Sequence, residues 1–142
     1  MLTFAYLLML LFMRKRVFLW MSALFLFVSV SLAQDIPAGL SIAFKKGNSQ
    51  ELSNYLGSKV NLIIQNRSSD VNNQTAQTMM ADFFSANKVI GFSVNHQGRR
   101  DESGFVIGTL TTDNGSFRVN CFFKRVDNRF LIYQIRIDKT NE

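Results

Sequence analysis

The side chains of this 142-residue chain that could carry chemistry are few. His96 is its one histidine and Cys121 its one cysteine. Histidine is the side chain whose ordinary pKa lies nearest neutrality, which makes His96 the candidate general base. It ends the stripe Ile90, Phe92, Val94 beside a glycine-containing loop, a position that suits a rim histidine facing solvent better than a catalytic one. Cys121 alternates with Phe117, Val119 and Phe123, the pattern of a small buried hydrophobe. A Cys121–His96 nucleophilic pair would lack a third group to orient the base. One His and one Cys cannot supply a zinc site, and no acidic loop has the spacing of calcium ligands. No glycine-rich phosphate loop occurs. The sequence therefore offers no metal site and implies no cofactor.

The carboxylates are poorly placed for acid–base work. Asp35, Asp101, Asp113 and Asp127 read as caps or turns, Asp70 precedes a cap, Asp82 lies on a polar helix stripe, and Asp138 ends a strand. Glu51 belongs to a capping box. None sits mid-strand on an apolar face, which speaks against an enzyme. The remaining polar candidates are Tyr55 and Tyr133, which with His96 would line a ligand pocket if the fold brings them together.

Charge and address narrow the class further. The formal net charge of +6 includes Arg14, Lys15 and Arg16, directly ahead of a long apolar run. Beyond residue 33, thirteen basic residues face ten acidic ones, a net of +3, an ordinary solubility charge and not the footprint of a nucleic-acid surface. Arg99, Arg100, Arg118, Lys124 and Arg136 alternate with apolar positions or share a loop. They suit a solvated sheet face, or an acidic ligand or glycan, though Trp20 falls ahead of residue 33 and leaves no later tryptophan for sugar stacking. The stretch MRKRVFLWMSALFLFVSVSLAQD from Met13 has a basic start, an apolar run from Val17 to about Val30, and Ser31-Leu32-Ala33 before Gln34. That is the layout of a cleavable signal peptide, with small residues where the peptidase needs them. Residues 1–33 are thus expected to be a leader, of which 1–12 represent an over-extended start with Met13 the initiator. No cysteine follows Ala33 to carry a lipid. The domain of 34–142 is expected in the periplasm or outside the cell, without a stable membrane anchor.

The elements that must position these residues read as helices first and strands after. Asp35-Ile36-Pro37 opens a helix with Leu40, Ala43 and Phe44 on one face and Gly47 as its stop. Asn48-Ser49-Gln50-Glu51 caps a short second helix carrying Leu52, Tyr55 and Leu56. Residues 59–66 form a strand, and Asn72 or Asn73 caps a third helix over about 74–86 whose stripe is Ala76, Met79, Met80, Phe83 and Phe84. Strands follow over 89–97, 105–112, 116–126 and 129–138. Asn114-Gly115 marks a type I′ hairpin and Asp127-Asn128 a second turn. The fold class is α+β, with N-terminal helices packed on an antiparallel meander.

Within that meander, Gly108-Thr109-Leu110-Thr111-Thr112-Asp113-Asn114-Gly115-Ser116-Phe117-Arg118-Val119 and Asn128-Arg129-Phe130-Leu131-Ile132-Tyr133-Gln134-Ile135-Arg136-Ile137 resemble a small exported family of Gram-negative bacteria known only as a domain of unknown function. Ala81-Asp82-Phe83-Phe84 matches the same pattern. The resemblance spans residues 35–138 and implies a cone similar to nuclear transport factor 2, in which a strongly curved antiparallel sheet wraps over helices and leaves a pocket at its mouth. It brings no catalytic residues with it. Enzymes of that fold such as ketosteroid isomerase set a carboxylate base and an acidic donor inside the cone, and this chain has no acid in such a place.

These observations describe an exported, non-catalytic domain that binds a small ligand or a protein. The alternative is a small-pocket enzyme using His96 or Tyr133. Strict alternation along the last strand points Leu131, Tyr133, Ile135 and Ile137 inward and puts Phe130 and Ile132 with Phe122 on the outer face. That patch would be a homodimer interface. The leader generates the first test. The intact mass of exported protein is expected to correspond to a chain beginning at Gln34, and a mass retaining residues 13–33 contradicts the cleavage site.

Overall fold

In a computed structural model, the chain is described over residues 36–141 and at Thr3, Ala5, Tyr6, Leu7 and Met9. The apolar run from Val17 and the Ala33–Gln34 junction lie outside the described residues. No helix among the described residues is long and apolar enough to cross a membrane.

The helices begin near where their sequences place them, but the second ends at Ser53, so Tyr55 and Leu56, expected on it, lie beyond its end, with Leu56 the first residue of a strand. Helix α1 (Ala38–Lys46) follows Pro37 and stops at Gly47, whose φ of 59° is the left-handed conformation that a helix end needs. Helix α2 (Ser49–Ser53) is capped by Asn48, whose Oδ1 accepts from the N–H groups of Gln50 and Glu51 at 3.1 Å each. Helix α3 (Asn73–Ala86) is capped by Asn72 Oδ1, which accepts from Thr75 N–H at 2.8 Å. Asn73 Nδ2 reaches back to the carbonyls of Ser53 and Leu56 at 3.0 and 3.1 Å, tying the start of α3 to the end of α2.

Six strands form one curled sheet: β1 (Leu56–Ile64), β2 (Arg67–Asn72), β3 (Val89–Arg100), β4 (Ser103–Thr112), β5 (Gly115–Val126) and β6 (Arg129–Lys139). Their order is β2-β1-β6-β5-β4-β3. All pairings are antiparallel except that of β1 with β6, which is parallel. Strand β2 is an element that sequence patterning passes over. Its RSSDVN run is polar on both sides because it is a sheet edge, with only Val71 packed against the core. The β1–β2 turn is Gln65-Asn66 with φ of 49° and 69°, and the β5–β6 turn is Asp127-Asn128 with 49° and 64°. Both have the two positive φ angles of type I′. The Asn114-Gly115 turn does not: only Gly115 is positive, at 104°, so the expected type I′ hairpin there is corrected to a turn in which glycine alone takes the left-handed region.

The space between helices and sheet is filled by a continuous chain of rings. Phe92 of β3 stacks on Phe44 of α1 at 4.8 Å, and Phe44 meets Phe84 edge-on at 6.4 Å. Phe84 touches Phe83 at 5.9 Å, and Phe83 meets Phe117 of β5 edge-on at 5.2 Å. Leu40, Met80, Leu110 and Ile135 pack around them, all at most 2% exposed. Gly108 makes room for this arrangement. A Cβ there would stand 2.5 Å from the Phe92 ring and 2.8 Å from Ser93 O. Gly108→Ala is expected to cost about 1–3 kcal/mol, whereas Gly91→Ala, with nothing within 4 Å of the added carbon, should stay within about 0.5 kcal/mol. Urea denaturation of the two variants checks the contrast.

Candidate functional site

The side of the sheet away from the helices carries the accessible groups, and its order follows from the register. One cross-strand row runs Asp70, Asn61, Gln134, Phe122, Phe105, Gly98 from β2 to β3. The next runs Ser68, Ile63, Arg136, Asn120, Ile107, His96. The first row changes from amide and carboxylate at one edge to aromatic at the other. Phe105 lies over Gly98, where a Cβ would meet its ring at 2.6 Å. In the second row Arg136 Nε donates to Asp138 at 2.8 Å, and Asn120 Oδ1 is buried without a hydrogen-bond partner among the described residues.

Two bulges decide which side chains reach this face. On β6, Phe122 pairs with Gln134 and Phe123 with Ile132, so Tyr133 is an extra residue and parity inverts around it. The expected outer patch is corrected accordingly. Ile132 is fully buried and cannot be an interface residue. Phe130 is packed against the core, with the Arg99 and Arg125 guanidinium groups 4.7 and 5.3 Å from its ring centre. Of the three, Phe122 alone keeps the outer face. Tyr133 takes the place assigned to Ile132, at 37% exposure, 6.5 Å from the Phe122 ring with Lys124 Nζ 5.8 Å from its own. On β3, Val94 pairs with Gly108 and His96 with Ile107. The extra residue is Asn95, whose Oδ1 accepts from Thr109 Oγ1 at 3.2 Å. His96 is therefore exposed on the face opposite Phe92 and Val94 rather than at the end of their stripe.

The three pocket candidates do not converge. His96 and Tyr133 share the outer face but lie three strands apart, roughly 14 Å. Tyr55 is on the other side of the sheet, half-buried, with its hydroxyl in the space a side chain on Gly39 of α1 would need. Hydrophobic periodicity could not find the groove that is present. Between Leu56 and Asn61, four residues of β1 stand against Tyr133 alone on β6, and the strands part there. The resulting groove of about 590 Å3 is lined by Lys59, Asn61, Asp70, Asn72 and Tyr133. A second, of about 270 Å3, runs from Tyr133 and Phe122 to Arg99 and Arg100. No group of three His, Cys, Asp or Glu that could hold a metal occurs among the described residues.

Comparison with known proteins places this geometry in a family. The model of the family described as Domain of unknown function (DUF4783) matches residues 38–138. A DUF4783 family protein from Bacteroides ovatus is 64% identical, over 78% of this chain and 100% of that one, with a TM-score of 0.75. Another, from Bacteroides fragilis, is 68% identical over 75% and 100%, with a TM-score of 0.72. A domain of unknown function with a cystatin-like fold from Nostoc punctiforme is 7% identical over 73% and 72%, with a TM-score of 0.59, a likeness of fold alone. The α+β architecture is thus that of the NTF2-like and cystatin-like cones. No curated protein matches the chain.

Cys121 reports on how well the interior is closed. It is 1% exposed, and burial among apolar neighbours pushes its thiol from the ordinary 9.0 up to about 12. The folded state holds this proton at pH values where an unfolded chain has lost it. The linked stability is present below pH 9 and lost as pH rises from about 9 towards about 12. Cys121→Ala should flatten that alkaline decline in urea titrations. At pH 8 the native thiol should resist an aromatic disulfide reagent that labels it rapidly in denaturant.

Proposed function

This chain belongs to the DUF4783 family, and from that premise we propose that it is an exported, non-catalytic binding domain whose working surface is the outer face of its sheet. The observation that carries this reading is the filled interior. Phe44, Phe92 and Phe117 are 0%, 6% and 1% exposed in the space where an enzyme of this fold would hold substrate and its acid and base. The groups free to meet a partner are on the other side, where both grooves meet at Tyr133. The separation of His96 from Tyr133 and of both from Tyr55 counts against the small-pocket enzyme. Export is supported by the leader-like stretch ending at Ala33 and by a family match that begins only at residue 38. A second copy of the chain is one occupant this face could take, through Phe122 and Tyr133.

A hydrophobic fluorescent probe, anilinonaphthalene sulfonate, separates the faces when titrated into 15N-labelled protein. Shifts are expected at Phe105, Phe122 and Tyr133 and to weaken in Phe122→Ser, a variant that should keep the fold. Shifts confined to residues around Phe44 and Phe92 would mean that the cone opens, and would overturn the assignment of the outer face.

A further inference from the structure

The groove beside Tyr133 has a donor and acceptor pattern of its own. Asn61 Nδ2 donates to Asp70 Oδ1 at 2.7 Å and to Ser68 Oγ at 3.0 Å. Both amide N–H groups are thereby spent and the amide plane is fixed, so what Asn61 offers a ligand is its carbonyl oxygen. Asp70, its cross-strand partner, adds the second carboxylate oxygen, another acceptor. Two residues along the strands, Lys59 pairs with Asn72. Asn72 Oδ1 is held by Thr75 N–H, which leaves its Nδ2 as a donor beside the Lys59 ammonium. Two acceptors and two donors thus lie in successive outward rows, roughly 7 Å apart. The ring of Tyr133, half in water, walls the same groove.

Resting on the outer-face reading above, we propose that this groove binds a neutral saccharide. Each hydroxyl of a sugar both donates and accepts, so neighbouring hydroxyls can meet the acceptor row and the donor row at once. The C–H face of the ring can lie on an aromatic side chain whose flat surface is already placed. The volume of about 590 Å3 is that of a small-molecule site. Charge selects against the obvious competitors. Lys59 and Asp70 balance, so an acidic peptide would meet the Asp70 carboxylate and a basic one the Lys59 ammonium. Tyr133 supplies the stacking surface that a search for tryptophan overlooks.

The test titrates full-length mature protein, 15N-labelled, with methyl glycosides and short oligosaccharides of glucose, galactose, mannose and N-acetylglucosamine, and separately with polyglutamate. Saturable shifts of Tyr133 and of the Asn61 and Asn72 side-chain amides are expected with at least one sugar. Tyr133→Ala should weaken that binding at least about tenfold and Tyr133→Phe by less than about threefold. Asn61→Ala should weaken it without changing the remaining spectrum. No shift with any sugar, or shifts that persist unchanged in Tyr133→Ala, overturns the proposal. If polyglutamate alone moves Tyr133 and Phe122, the saccharide assignment falls and the outer-face reading stands. If neither sugars nor polyglutamate move these signals and the fluorescent probe enters only around Phe44, both fall.

Discussion

The stacking of Phe92 on Phe44 is the contact on which the rest of the architecture depends. It links an edge strand to the first helix, and through Phe84, Phe83 and Phe117 the same chain of rings reaches the third helix and the sheet centre. Aromatic side chains bury more area than any others, and edge-on and offset pairs add to that burial. Filling a curled sheet with five rings leaves helices only one side on which to sit and leaves little of the interior for a ligand. The bare opposite side follows from this packing. In a fold whose enzymes hold substrate inside the cone, that space is here filled by buried rings, and the accessible pattern lies on the outer face of the sheet.

Much of this was legible in the residues. The caps at Asn48 and Asn72, the Gly47 stop and the stripe on α3 are local signals, set by hydrogen bonds within a few residues, and they stand where the sequence puts them. So does the burial of Cys121, because the β5 alternation around it is unbroken. The failures have one physical cause. Period-two reasoning assigns faces correctly only while every residue of a strand has a partner, and a bulge adds one that has none. Tyr133 and Asn95 are such residues, and each reverses the faces on one side of it. Ile132 and His96 were misplaced for that reason alone. Neither position carries glycine or proline, so composition gives no warning. Strand β2 escaped for a different reason: a two-sided polar edge strand lacks the apolar repeat by which strands are recognised.

The bulge at Tyr133 also shapes the groove beside it. An extra residue at Tyr133, met by four residues of β1, pries β1 from β6 and aims an aromatic ring out of a sheet whose neighbouring row is amide and carboxylate. The bulge at Asn95 acts at the sheet edge. It interrupts the regular spacing of backbone groups along β3, and together with the extra residue at Ile90 it makes that long exposed strand a poor template for another strand. Irregularity in this sheet thus both opens a groove on its outer face and interrupts its long exposed edge.

The parallel pairing of β1 with β6 carries a kinetic consequence. Ile64 lies beside Ile137, so the β1–β2 hairpin joins the sheet only through β6, the strand of this sheet most distant from it in sequence. The β3–β6 meander can form from local hairpins, while β1 and β2 must wait and then close a loop of more than half the domain. Such non-local closure slows folding, because its entropy is lost before the contacts form. Until that step, the inner edge of β6 and the apolar side of β1 are both uncovered. The domain is most vulnerable to misassociation and proteolysis in the interval before β1 and β6 meet.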